Sequence, residues 1–198
     1  MTRIVNLMGG PGVGKSTVAA GLFSKLKQNK ISCELVTEFA KESVWEGTQK
    51  LLENQIHVFS EQFRRQFRLL NKVSYVVTDS PLLLSSIYFD HYLEKLNSSP
   101  SIFTPEYTDL VRNFFEQTFL QFDNVVFYLN RVKDYDPNGR NQDLDEAKVI
   151  DDRVFNKLNE TNTSCHILNG TEEMNIETVL TYVRLWEDEK IIKRITSA

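Results

Sequence analysis

The 198-residue chain is poor in cysteine, with Cys33 and Cys165 far apart and each in an apolar run. No Cys/His cluster has zinc-ligand spacing, so the pair is expected as buried free thiols in a reducing compartment. There is no run of 18 apolar residues and no signal-type segment at the N-terminus. This predicts a soluble, cytoplasmic protein with no membrane partner. Charge of one sign is not in large excess: the net charge of −4 gives no global attraction to nucleic acid or anionic lipid, leaving only a local basic patch open. Repeats and low-complexity linkers are missing too, so residues 1–198 read as one domain. Glycine is scarce, and four of its eight copies fall between Gly9 and Gly14.

That concentration is the strongest local signal. Gly9-Gly10-Pro11-Gly12-Val13-Gly14-Lys15-Ser16-Thr17 follows the apolar run Ile4–Met8 and precedes a helical pattern of Val18, Leu22 and Leu26. It fits G-x-x-x-x-G-K-[ST] in its strand–loop–helix setting. Glycines let successive amides curl into an anion nest, and the following helix adds unpaired N–H groups and the positive end of its dipole. Gly10, Gly12, Val13 and Gly14 are assigned to the cradle. Lys15 is assigned to the β- and γ-phosphates, Ser16 to Mg²⁺ and Thr17 to the α-phosphate of a nucleoside triphosphate.

Apolar runs then alternate with helical patterns, as in an α/β fold with a parallel sheet. Strands are predicted at 32–37, 74–78, 124–129 and 165–168, after the first at 4–8. One long helix is predicted over Lys50–Lys72, with Leu52, Ile56, Phe59, Phe63, Phe67 and Leu70 inward and Gln55, Gln62 and Gln66 along one flank. Another covers Leu83–Lys95 and leads into a mobile loop at 97–101. Thr104-Pro105-Glu106 reads as an N-cap, a first-turn proline and an early acid. It opens a helix with Leu110, Val111, Phe114, Phe115, Phe119 and Phe122 inward. Ala147, Ile150, Val154 and Leu158 mark the next helix; Ile176, Val179, Leu180, Val183 and Trp186 mark the last. The expected architecture is a P-loop NTPase fold, five parallel strands flanked by helices, with its site at the strands' carboxyl ends.

Residues at those ends become candidates. Asp79 has the character of a carboxylate that holds Mg²⁺ or its water, with a helix cap as the structural alternative. Ser80 follows it where hydrolytic ATPases carry a water-activating glutamate, which weighs against an AAA-type motor. Glu38 suits a base that handles a substrate hydroxyl, or a structural glutamate. Arg131 and Arg140 bracket a polar segment, 131–142, that suits a lid closing over phosphates, or a solvated loop. Asn169-Gly170 suits close approach of backbone to an adenine ring, or a turn. Phe39 and Trp45 suit stacking on a substrate ring, or the core. His57, His91 and His166 are expected in packing roles.

Together, Gly9–Thr17, Thr37-Glu38-Phe39-Ala40-Lys41, Thr78-Asp79-Ser80-Pro81-Leu82 and Gly139-Arg140-Asn141-Gln142 resemble the P-loop nucleotide kinases common in tailed-phage genomes. These are related to the ribosylnicotinamide-kinase domain of NadR-type proteins and more distantly to deoxynucleoside and thymidylate kinases. The resemblance implies ATP and Mg²⁺ as donor and cofactor, a nucleoside or nucleotide acceptor near strands two and three, and the host cytoplasm for a phage-encoded chain, as monomer or homodimer. By it Glu38 matches the acid that handles the acceptor and the 131–142 segment matches the lid. The chain lacks the arginine that deoxynucleoside kinases place beside the acid at Asp79, and the one thymidylate kinases place beside Glu38. Two alternatives stay open. One is a phage kinase of hydroxymethylated pyrimidines in DNA, with Arg64, Arg65, Arg68 and Lys72 as a phosphate-binding patch. The other is a nucleotide-gated switch, although Asn130-Arg131-Val132-Lys133-Asp134 does not fit a guanine reader.

Overall fold

Each apolar run becomes a strand, and all five strands pair in parallel in the order β2-β3-β1-β4-β5. They are β1 Arg3–Met8, β2 Cys33–Val36, β3 Tyr75–Thr78, β4 Asp123–Leu129 and β5 Cys165–Leu168. The helices are α1 Lys15–Gln28, α2 Phe39–Trp45, α3 Gln55–Phe67, α4 Leu84–Leu96, α5 Pro105–Leu120, α6 Leu144–Glu160 and α7 Glu172–Thr196. This computed structural model describes residues 1–96, 103–132, 134–135 and 143–196. The expected loop at 97–101, and Arg140 with most of the expected lid, lie outside the described residues.

Strand alternation divides the interior in two. Val5 and Leu7 join Val77, Phe127 and Leu168 against Val18 and Leu22 of α1 and Val179, Leu180 and Val183 of α7. On the other face Met8, Val126 and Tyr128 meet Phe59 of α3, Ile87 of α4, Phe115 of α5 and Val154 of α6. β1 therefore lies at the centre of a three-layer sandwich, in register with β3 (Asn6 with Thr78) and β4 (Leu7 with Phe127). Among the described residues no helix is long and apolar enough to cross a membrane. Cys33 and Cys165 are free thiols, the first buried and the second partly so, and burial raises the pKa of both.

Three expectations change. The helix read over Lys50–Lys72 is a 3-10 turn at Gln49–Glu53 followed by α3. Asn54 divides them because its side chain accepts from the His57 amide at 3.1 Å, an N-cap inside a continuous apolar period. α3 is also rotated: it buries Gln55, Phe59, Gln62 and Gln66, while Phe67 is 58% exposed. In α5 the Thr104 cap and Pro105 stand as expected, with the Thr104 hydroxyl accepting from Tyr107 N. That helix buries Val111, Phe115 and Phe119 but leaves Leu110 and Phe114 exposed.

Candidate active site

The Gly9–Gly14 loop joins the end of β1 to α1 at the centre of the sheet. Gly14 is the N-cap of α1 at φ 100, a left-handed conformation that a side chain would strain. Val13 is buried. The Lys15 ammonium donates to the carbonyls of Gly9 and Gly10, both at 2.8 Å, and draws the loop into a closed curl. Ser16 and Thr17 are exposed on the first turn. That turn carries no acid to compete with an anion at the helix's positive end.

Strand order decides what surrounds the curl. β3 neighbours β1, so Asp79, one residue past β3, ends one strand away from the loop; β2 lies one strand farther, with Glu38 two residues past its end. Each step is about 4.8 Å. Asp79 is only 5% exposed, and its Oδ1 is buried with no hydrogen-bond partner among the described residues. It does not serve as a helix cap, since α4 begins only at Leu84. An unsatisfied buried carboxylate oxygen is costly, and a carboxylate and a hydroxyl such as that of Ser16 are the types of oxygen donor that suit a hard divalent cation.

Glu38 occupies the N-cap position of α2 at φ −65, ψ 122, yet its carboxylate does not cap that helix. Gln62 sets the turn around it: Oε1 accepts from Phe39 N at 3.1 Å and Nε2 donates to Thr37 O at 3.4 Å. Both ends of this buried amide are thereby used on the backbone flanking Glu38. Burial raises the Tyr88 hydroxyl pKa above its ordinary range, and the charges of Glu38, Tyr92, Asp151 and Tyr135 raise it further. Those groups therefore lie within electrostatic reach of the Tyr88 hydroxyl. Phe39 is held between the Arg65 guanidinium at 5.3 Å and the His57 ring at 5.3 Å, while Trp45 is largely exposed.

Arg131 follows β4, and α6 carries its partner Asp151. Asp151 Oδ2 accepts from Arg131 Nε at 2.8 Å, Asp151 Oδ1 accepts from Gly10 N at 2.7 Å, and Arg131 Nη2 donates to Pro11 O at 2.7 Å. Tyr135 packs its ring against Gly12, where an added Cβ would lie 2.9 Å from Tyr135 Cδ2. The Tyr128 hydroxyl donates to Asp151 O at 3.2 Å, and burial with the charges of Asp151 and Asp152 pushes its pKa up to about 12.

On the far side of β1, Asn130 Nδ2 donates to Asn169 Oδ1 and ties the ends of β4 and β5 together. Gly170 has its N–H and carbonyl both engaged by the Asn175 side chain, at 3.1 and 3.0 Å. Asp151 and Tyr88 were not among the residues that the sequence singles out. Gln62 was, as one of three glutamines flanking the apolar stripe whose paired donor and acceptor suit a base edge, but its amide is engaged by the backbone of Thr37 and Phe39. On α3, Arg65 is paired with Glu42 and Arg64 with Glu61, so two members of the expected basic patch are already neutralised. His166 packs against Tyr182 and Phe127.

A glycine curl closed by its own lysine at the central strand of a parallel sheet, with acids at the two adjoining strand ends, defines a P-loop NTPase fold. The chain belongs to a family described as an AAA domain (AAA_28), whose model matches residues 4–174. No curated protein matches it. Among solved structures it is similar to the NadR protein in complex with NR, with TM-score 0.67 and 16% identity over 91% of this chain and 51% of that one. The chain thus spans about half the length of that NadR protein. It is also similar to deoxyadenosine kinase from M. mycoides with bound dATP, with TM-score 0.56 and 15% identity over 93% of this chain and 100% of that one. The same kinase with bound dCTP gives TM-score 0.59 and 16% identity over 91% and 98%. Likenesses at this identity establish the fold alone.

Proposed function

We propose that the chain is an ATP-dependent kinase that transfers the γ-phosphoryl group of ATP to a hydroxyl of a nucleoside or nucleotide. The observation that carries this reading is the strand order: a phosphate curl at β1, then Asp79 with a bare buried oxygen, then Glu38 one strand farther out. That is the sequence donor, metal, acceptor base laid across one edge of the sheet. Gly12, Val13, Gly14 and Lys15 hold the β-phosphate through their amides, with Thr17 on the α-phosphate. Ser16 and Asp79 would hold Mg²⁺, which would supply positive charge to offset that of the triphosphate.

Glu38 accepts the proton of the acceptor hydroxyl as its oxygen bonds to the γ-phosphorus and the bond to the β–γ bridging oxygen breaks. Gln62 keeps that carboxylate aimed by fixing the peptide on each side of it. Lys15 and Arg131 offset the charge that develops on the phosphoryl oxygens. Asn169 and Gly170, on the opposite side of β1 from Glu38, border the adenine. Ser80 in place of a hydrolytic glutamate supports transfer to an acceptor over transfer to water.

The test is incubation with ATP·Mg²⁺ and a panel of nucleosides and nucleoside monophosphates, followed by separation of products. One acceptor class is expected to gain a phosphate with matching ADP release. The Lys15→Ala variant should lose at least about a hundred-fold in rate, as for removal of a preorganised charge donor. ATP loss at full rate without any acceptor would overturn the reading.

A further inference from the structure

We infer that Asp151, in α6, is a positioning residue that locks Arg131 onto the P-loop and leaves one edge of its guanidinium open for a phosphate oxygen. The inference rests on the kinase reading above and assigns a residue that reading does not use. Three hydrogen bonds that fix the guanidinium and the loop against each other converge on two side chains. Asp151 takes Arg131 Nε with one oxygen and the Gly10 amide with the other, while Arg131 Nη2 takes the Pro11 carbonyl. Both side chains are nearly dry, at 13% and 14% exposure.

One terminal nitrogen of the guanidinium takes no part in these bonds. Arg131 Nη1 is buried with no partner among the described residues, and it lies 3.3 Å from where a Cβ of Gly12 would stand. A buried donor left without an acceptor costs free energy in the folded protein. Here Nε is held by the Asp151 carboxylate and Nη2 by the Pro11 carbonyl. The guanidinium is planar, so fixing those two nitrogens leaves Nη1 little freedom to turn away. The Tyr135 ring lies 5.6 Å from the guanidinium and limits its tilt.

The same arrangement accounts for Gly10. A Cβ there would lie 2.3 Å from Asp151 Oδ1 and 2.8 Å from Ala147 O, so glycine is required for α6 to approach the loop at all. α6 is thereby a third support of the P-loop, beside β1 and α1.

The experiment is a double-mutant cycle on ATP affinity, measured by calorimetry with Asp151→Asn, Arg131→Ala and the pair. The asparagine keeps the shape but sets an N–H against Arg131 Nε–H or Gly10 N–H. Either single change should weaken ATP binding about ten- to a hundred-fold, the range for one charge-assisted hydrogen bond. The pair should be no weaker than Arg131→Ala alone, because Asp151 acts through the arginine. Multiplying losses, or an unchanged affinity in Asp151→Asn, would overturn the proposal. Arg131→Lys gives an answer that does not depend on Asp151→Asn folding: lysine keeps the charge but not the fork, so it should bind ATP as poorly as Arg131→Ala. Full rescue by lysine would also overturn it. Wild-type protein that fails to bind millimolar ATP would instead remove the kinase reading itself.

Discussion

At the scale of single residues, the site depends on polar atoms whose partners are withheld by the fold. Asp79 Oδ1 and Arg131 Nη1 are both buried and without a partner among the described residues, and a buried polar group of this kind calls for a water, an ion or a ligand to complete it. Glu38 differs, since it sits at the cleft's edge with its backbone fixed from both sides by Gln62. Glu38→Gln removes the base and preserves size. Turnover should drop by about a hundred- to ten-thousand-fold with ATP affinity unchanged. An equal loss in ATP binding, measured on the same protein, would show that Glu38 belongs to the donor site.

At the scale of elements, α3 and α6 carry the polar contacts that shape the cleft. Gln62→Leu strips the partner from the Phe39 amide and should cost about 1–3 kcal/mol. The readout is the urea midpoint, and kcat should fall with it because the Glu38 turn loosens; a midpoint loss with unchanged kcat would limit Gln62 to stability. Between α4 and α6 lies His91, whose imidazole is held below its ordinary 6.5 by burial, then by the charges of Lys95 and Arg153, against Glu146 and Glu94. The unfolded chain therefore takes up this proton first as pH falls. Above 6.5 the group has no effect on stability, and below 6.5 stability is lost until the folded-state pKa is passed. Urea midpoints at pH 7.5 and 5.5 should diverge less in His91→Leu than in wild type, and equal slopes would rule the group out. Two interhelical ion pairs, Lys95 with Glu146 and Arg153 with Glu94, cross the same contact. Being partly exposed, they add little on their own.

At the scale of the whole molecule, a ligand that bridges the curl at β1 and the acid at β3 joins elements of both layers. ATP·Mg²⁺ at about a hundred times its dissociation constant should therefore stabilise the fold by about 2.7 kcal/mol. A thermal scan should show the shift, EDTA should reduce it, and Lys15→Ala should abolish it; a shift that survives in Lys15→Ala would put the nucleotide elsewhere. The alternation of apolar runs and helical periods was enough to define five parallel strands, and Gly9–Thr17 defined the loop, because both are written in residues adjacent along the chain. Asp79 and Glu38 were legible for the same reason: each directly follows a strand. The rotation of α3 was not, since Ile56, Phe63 and Phe67 satisfy the helical period as well as Gln55, Gln62 and Gln66 do, and only packing against the sheet selects between faces. Nor was Asp151, which meets Gly10 across 141 positions of sequence. Local sequence thus determined where the phosphate curl forms and which strands end in acids, because backbone conformation and periodicity are short-range properties. Tertiary structure alone decided which carboxylate holds the arginine and which amide flanks the base, because those contacts exist only once α3 and α6 have docked.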